Sequence, residues 1–318
     1  MSWKTEGFSE AGIGVRNPDG WIDFLREVGG WRVIHQGETA AASVAAWPGM
    51  EGAEVHETLL ERPEFGRGRI RLFHFDSPLQ EPNRSGALPW DTGGIFDLDL
   101  RVDGMASVHA AMTAAGWDSL SGPVEWDFGG LQVIEWLARG PEDVILALIQ
   151  RLDPPLDTGL EGPGFGHVFN ASQSVRDMDR ALTFYRALGF EQMTRHQGAL
   201  AGRGGEVLCL DPEEAPSTHV DLAIVHPSGV MDGAIELFNL PSRPGRDLSA
   251  LAQPHGYGLN LLRIPVTGCL ALAEHLDAQG IMMQTEPFET WLEPHGAVRQ
   301  LNLRSPDGAW LECFEVIE

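Results

Sequence analysis

Two glutamates stand in apolar stretches where an ionised carboxylate is costly. Glu312 alternates with Trp310 and Phe314, and Glu236 occupies the centre of a similar run, A-I-E-L-F. Because alternate residues of a strand share a face, each glutamate is predicted to lie on an inward, apolar face. A buried carboxylate must be paired or bound to a metal ion. Each glutamate is therefore predicted either to ligate a metal or to form an internal salt bridge.

Two histidines and one arginine are further candidates. His226 precedes a Pro-Ser-Gly segment and His295 lies in Glu-Pro-His-Gly, so both are expected on loops or at strand ends. An imidazole titrates near neutral pH, which suits His226 to acid–base catalysis and His295 to substrate binding. Arg263, in a strand-like run, suits a substrate carboxylate or an acidic partner in the chain. The sequence contains no glycine-rich phosphate loop and no nucleophile elbow.

A local pattern that recurs four times must position these residues. In each instance an amphipathic helix ends at a glycine, and a large apolar residue then opens a strand. The four junctions, about 70 to 90 residues apart, are Gly30-Trp31, Gly116-Trp117, Gly189-Phe190 and Gly280-Ile281. Glycine after a helix commonly adopts the left-handed conformation. The recurrence predicts four βαβββ modules, with third-module strands near 206–210, 220–225 and 234–238.

A linker rich in proline and glycine divides the chain into two halves. The segment 153–164 contains Asp153-Pro154-Pro155 and Gly162-Pro163-Gly164, which cannot continue a helix or a central strand. It predicts an N-terminal domain at 1–153 and a C-terminal domain at 163–318, each with two modules. Strands followed by helices and further strands are typical of an α+β fold.

Composition restricts the partners and the compartment. The chain has 318 residues, 22 Lys+Arg and 46 Asp+Glu, and a net charge of −24. This charge repels phosphate backbones and anionic lipids, so neither nucleic acid nor a membrane is an expected partner. The three cysteines are too few and too scattered for a disulfide framework. With no signal peptide or membrane span recognised, a cytoplasmic location is expected.

The motifs resemble those of the vicinal oxygen chelate superfamily, which includes glyoxalase I, bleomycin-resistance proteins and type I extradiol dioxygenases. The run from Phe165 through His167 and the run from Arg180 to Phe190 resemble the opening of such a module. The run from Ser305 to Glu312 resembles its closing signature, a Pro-Asp-Gly turn before a strand with a metal-binding glutamate. The resemblance implies a four-module form, with the βαβββ modules paired into two cupped-sheet domains.

The resemblance also implies a ligand set for one divalent metal, Fe, Mn, Co, Ni or Zn. His167, Glu236 and Glu312 match ligand positions, which places the expected metal in the C-terminal domain. The fourth position falls at Leu259 or Leu261, and leucine cannot bind a metal. A type I extradiol dioxygenase needs a second histidine there. The corresponding N-terminal positions, Glu10, Arg71, Asp97 and Ala147, imply a metal-free structural copy.

These observations favour a metal-dependent isomerase or lyase that acts on a small oxygenated compound, which could be aromatic. Chelation of the substrate would stabilise a developing enolate or alkoxide, and Glu236 or His226 would act as the catalytic residue that moves the proton. Two alternatives remain open at the level of sequence: an extradiol-type ring-cleaving dioxygenase with an altered iron site, and a metal-free protein that binds small molecules or confers resistance. The sequence also leaves open whether the chain forms a homodimer.

Overall fold

The computed structural model describes residues 2–75 and 81–317 and confirms the four βαβββ modules. All four glycines at the helix–strand junctions have positive φ: Gly30 at 68°, Gly116 at 89°, Gly189 at 85° and Gly280 at 70°. The helices therefore end where the sequence pattern predicts, because glycine adopts this conformation without a steric penalty.

The helices and strands follow the same order in each module. A short strand, β1 (Lys4–Thr5), comes before the first module. The first module contains β2 (Glu10–Gly14), α1 (Pro18–Glu27), β3 (Arg32–Glu38), α2 (Ala41–Ala45), β4 (Val55–Glu61) and β5 (Arg69–Phe75). The second contains β6 (Asp97–Asp103), α3 (Met105–Ala114), β7 (Asp118–Phe128), β8 (Leu131–Arg139) and β9 (Ile145–Asp153). The third contains β10 (Gly164–Ser174), α4 (Met178–Ala187), β11 (Glu191–Gly198), α5 (Gly204–Val207), β12 (Val220–His226) and β13 (Ala234–Asn239). The fourth contains β14 (Gly258–Thr267), α6 (Cys269–Ala278), β15 (Phe288–Leu292), β16 (Gly296–Arg304) and β17 (Trp310–Val316).

Two of the four long helices, α1 and α4, start at a residue whose side chain caps the helix. The side chain of Asn17 accepts a hydrogen bond from the Gly20 amide at 3.1 Å at the start of α1, and Pro18 opens its first turn. Asp177 caps α4 in the same way through the Arg180 amide at 3.0 Å. These caps set where each helix begins after its strand.

The modules pair across the two halves of the chain, which corrects the expected pairing within each half. β2 pairs with β14, so the first and fourth modules share one sheet, while β6 pairs with β10, so the second and third share the other. Both of these strand pairs, β2 with β14 and β6 with β10, are antiparallel. We call the curled face of the sheet from modules one and four the first cup, and that from modules two and three the second cup.

The main hydrophobic core contains residues of both sheets and of α1, α3, α4 and α6. Strand alternation therefore gives each sheet one face toward this core and one face toward its own cup. In β6, Leu98 and Leu100 belong to the core, so Asp97, Asp99 and Arg101 lie on the cup face. The two cups are separate places in the molecule, and residues of one cannot meet residues of the other.

One predicted strand is wrong. Residues 206–210 begin inside the short helix α5 and continue into a turn, and the edge strand β11 lies earlier, at Glu191–Gly198. Gly204 leaves no space for a side chain beside Trp126, so α5 packs closely against β7. Of the helices that the structure describes, none is long and apolar enough to cross a membrane.

Candidate active site in the second cup

Four carboxyl side chains face the second cup from three strands. Asp97 and Asp99 extend from β6, Glu135 from β8 and Glu236 from β13. The register places Ser172 of β10 between two of them, opposite Asp97 on one side and Glu236 on the other. In the sheet, β10 lies between β13 and β6, and β9 lies between β6 and β8. Because these five strands are consecutive in one curled sheet and their faces alternate in step, the carboxyl groups converge on the floor of the cup.

A cavity of 230 Å³ lies above these carboxyl groups. Its wall is mainly apolar and aromatic, and its largest side chains are Phe96, Trp126, Phe128, Phe169 and Phe238. The roof comes from α5 and the turn around it through Leu200, Val207 and Leu208. A cavity of this size with a few convergent polar groups is typical of a site for a small molecule.

Burial in this apolar cavity raises the pKa of all four carboxyl groups. Burial raises the pKa of Asp99 to about 6, against the opposing effect of the nearby Arg101 guanidinium. Burial and then the Asp99 charge raise the pKa of Glu135 to about 8. Burial and the neighbouring Asp99 charge also raise the pKa values of Asp97 and Glu236 well above the ordinary range. At neutral pH Asp99 is therefore mainly ionised and Glu135 mainly protonated. The raised pKa values of Asp97 and Glu236 favour their protonated forms.

The side chains around the carboxyl groups orient one of these groups and leave one oxygen of another without a partner. Glu135 accepts a hydrogen bond from the Trp126 indole at 3.0 Å, which orients its carboxyl group. Within the described residues, Oδ1 of the buried Asp97 has no hydrogen-bond partner. An ionised carboxylate beside carboxylic acids in a water-poor cavity can accept a proton from a substrate and donate hydrogen bonds to it.

Of the residues predicted from sequence, only Glu236 lines this cavity. His167 lies outside it, with Nε2 3.3 Å from Oδ1 of Asp232 and its ring against Phe65. His226 is buried at the end of β12, where its Nδ1 accepts a hydrogen bond from the Ser228 amide at 3.0 Å. Neither histidine lies in the cavity wall, so neither is placed for the predicted role there.

The other three predicted residues, Arg263, Glu312 and His295, meet in the first cup. The Arg263 guanidinium donates to Glu312 at 2.8 Å and to Glu10 at 3.4 Å. Nε2 of His295 lies 3.5 Å from the Glu10 carboxylate. Of the two interpretations open for Arg263, the structure therefore supports the internal ion pair, because both its carboxylate partners belong to the chain.

The ion-pair network of the first cup extends to the first module. Arg71 donates to Glu10 at 3.0 Å and also contacts Glu57, and the Trp47 indole donates to the other oxygen of Glu312 at 2.7 Å. Three carboxylates are thus compensated by two guanidinium groups, all of them buried. The neighbouring Arg71 and Arg263 charges, acting against burial, hold the pKa of Glu10 well below its ordinary range.

The residues present do not fit the expected metal. His167, Glu236 and Glu312 cannot share an ion, because Glu312 lies in the first cup and the other two do not. In the first cup, Arg71 and Arg263 occupy the space between the carboxylates, and their charges would repel a cation. No imidazole lines the cavity of the second cup. Across residues 2–75 and 81–317, no three His, Cys, Asp or Glu side chains are arranged to hold a metal ion.

Sequence reasoning missed Asp99 and Glu135 and placed Asp97 in a structural copy. A signal for Asp97 and Asp99 was present in the D-L-D-L-R run of β6, where charged residues alternate strictly with leucine. The same alternation rule had been applied to Glu236 and Glu312. Glu135 lies in a mixed run, Q-V-I-E-W, whose buried face cannot be identified without the sheet.

Comparisons with known proteins agree with this architecture. Residues 164–313 match the family model of the Glyoxalase/Bleomycin resistance protein/Dioxygenase superfamily. The crystal structure of glyoxalase I from Zea mays superposes with a TM-score of 0.64 at 15% identity, covering 99% of this chain and 92% of that one. A candidate dioxygenase from Bacillus subtilis subsp. subtilis strain 168 gives 0.61 at 13% identity, covering 99% and 86%. No curated protein matches the sequence. At these identities the solved structures establish the fold alone.

Proposed function

Because residues 164–313 match the glyoxalase/bleomycin resistance/dioxygenase superfamily, we propose that this chain is an isomerase or lyase acting on a small carbonyl compound in the second cup. The observation that carries this proposal is the pair Asp99 and Glu135, which face one cavity with pKa values of about 6 and about 8. Two acidic groups whose pKa values lie on either side of neutrality form a base and an acid.

The proposed reaction begins with removal of a proton next to the carbonyl group. Asp99, ionised at neutral pH, takes the proton from carbon. Protonated Glu135, with Asp97 or Glu236, donates a hydrogen bond to the carbonyl oxygen, on which negative charge develops. The proton then returns at another carbon in an isomerase, or a leaving group departs from the neighbouring carbon in a lyase. The aromatic wall excludes water from the charge that forms.

The proposal assigns no step to a metal ion. Members of the superfamily typically use a divalent metal, but in the described part of either cup no three His, Cys, Asp or Glu side chains are arranged to hold one. The same absence of a two-histidine, one-carboxylate set among the described residues disfavours the extradiol dioxygenase. The second candidate function is small-molecule binding without catalysis, for which the apolar cavity wall alone would be sufficient.

Deuterium exchange tests the proposal without knowledge of the natural substrate. Aryl ketones, including benzoylpropionate and its carboxamide, are first shown to bind by calorimetry and are then incubated with the protein in D₂O. We expect the protons next to the ketone to exchange faster than in buffer, as measured by proton NMR, and EDTA to leave the rate unchanged. Binding without exchange would overturn the proposed catalysis in favour of the binding protein, and loss of exchange with EDTA would overturn the metal-free site.

The exchange rate is expected to have a bell-shaped dependence on pH. The rate should rise as Asp99 ionises near pH 6 and fall as Glu135 loses its proton near pH 8, because the base must be charged and the acid neutral. The other ionisable groups of the cavity wall are Asp97, Arg101, Arg151 and Glu236. A rate that rises steadily from pH 5 to 9 would contradict the role of Glu135 as the acid.

A further inference from the structure

Arg101 is a charged residue of the cavity that the proposed reaction does not use. It lies two residues beyond Asp99 on the same face of β6, and its guanidinium stacks over the Phe169 ring, 3.7 Å from the ring centroid. It is half-buried and forms part of the cavity wall. Its guanidinium is therefore held by the Phe169 ring at the wall of the space that a ligand would occupy.

The Arg101 guanidinium has no hydrogen bond or ion pair among the described residues. The other arginines of comparable or greater burial have acceptors: Arg71 and Arg263 bind glutamates, and Arg84 donates to the Asp91 carbonyl at 2.8 Å. Arg151, at the same cavity, donates to the Pro154 carbonyl at 2.7 Å. Of the acidic neighbours of Arg101, Asp99 and Glu135 act on it without a hydrogen bond, and Asp232 is paired with His167. Because no acceptor of the described residues occupies its five donors, this guanidinium is available to bind an anionic ligand.

The positions along β6 relate this guanidinium to the acid–base groups. Residues two apart on one strand are separated by about 7 Å, which sets the spacing of Asp99 and Arg101 along the cavity floor. The cavity floor therefore carries the proposed base, Asp99, and the positively charged guanidinium of Arg101 at about this spacing. The net charge of −24 repels anions from the protein as a whole. An anionic ligand therefore needs a local positive charge at its binding site, such as Arg101.

We propose that Arg101 binds an anionic group of the substrate, so that the substrate class is a carbonyl compound with an apolar body and a nearby carboxylate. This inference rests on the proposed function, since it concerns the same cavity. The planar guanidinium accepts a carboxylate through two parallel hydrogen bonds, which would place the carbon next to the carbonyl group over Asp99. Arg101 is thus a residue that positions the substrate and determines specificity.

The test compares benzoylpropionate with its carboxamide, which has nearly the same shape and no charge. We expect the native protein to bind the carboxylate about 10- to 100-fold more tightly by calorimetry, as for a hydrogen bond to a charged group. Arg101→Met, which keeps an apolar stem over Phe169, should abolish this preference and leave the affinity for the carboxamide unchanged. Arg101→Lys should restore part of it.

Arg243→Met is the matched control, because Arg243 also stacks on an aromatic ring, that of Trp90, 4.3 Å from its centroid, but lies outside the cavity wall. It should keep the native preference. Equal affinities for the two ligands in the native protein, or a preference that survives Arg101→Met, would overturn the inference. The proposed catalysis is tested by a different measurement: it would be overturned if bound ketones showed no exchange in D₂O, whatever the two affinities are.

Discussion

Replacing Asp99 with asparagine is expected to slow the exchange of bound ketones in D₂O by about 10²- to 10⁴-fold, the usual contribution of a general base. The amide has nearly the same shape but cannot accept the proton. The measurement is the NMR exchange rate at saturating ketone, with binding followed by calorimetry. The dissociation constant of the carboxamide should change little, because Asp99 acts on the proton rather than on the apolar body.

Two controls separate this effect from misfolding. Asp103→Asn changes an exposed residue at the end of the same strand and should exchange at the native rate. Asp99→Asn itself should be at least as stable as the native protein at pH 7. A carboxyl group whose pKa is raised on folding to about 6 costs stability as pH rises from its unfolded value, near 4, through 6. Native exchange in Asp99→Asn would refute the role of Asp99.

Replacing Arg263 with methionine is expected to lower the free energy of unfolding by about 3–5 kcal/mol, as for the loss of one partner from a buried ion pair. Glu312 would lose its 2.8 Å contact, Glu10 would lose one of its two arginines, and both carboxylates would stay buried. Urea unfolding at pH 7, followed by circular dichroism, measures the change. Exchange activity at a temperature where the variant is folded should be retained, because the second cup is a separate site.

The matched control is Arg299→Met, which removes an arginine from the surface pair with Glu289 and should change stability little. The double variant Arg263→Met, Glu312→Gln should recover part of the loss, because it removes one uncompensated charge. If Arg263→Met unfolds like the native protein but weakens the binding of benzoylpropionate, Arg263 binds substrate and the first cup is not a purely structural network.

The candidate site could be predicted only in part. Glu236 was identified because alternation alone puts it on an apolar face, and the structure places it in the cavity wall. The same reasoning applied to Glu312 was right about burial but left its partner open, and that partner is Arg263. His167 was assigned from its motif, yet it lies on an irregular part of β10, where the register with β6 shifts twice between Phe165 and Asn170. Such shifts change which side chains face the cup.

The sequence by itself determined the local structure of each βαβββ module. Helical periodicity and the four glycines that follow the helices are local properties, and each acts within a few turns of one module. They were enough to predict an α+β fold of four βαβββ units. They could not show that 206–210 is a helix and turn rather than a strand, because the packing of α5 against Trp126 decides it.

The tertiary structure alone decided which modules share a sheet, and therefore which residues share a site. Every module begins with a strand that can pair with the first strand of another, so the local pattern allows more than one arrangement. The observed register sets Arg263 opposite both Glu10 and Glu312, which compensates buried charges across the first and fourth modules. The same pairing brings Asp97 and Asp99 of the second module beside Glu236 of the third. Compensation of buried charge between distant segments is a long-range energy that no local sequence window contains.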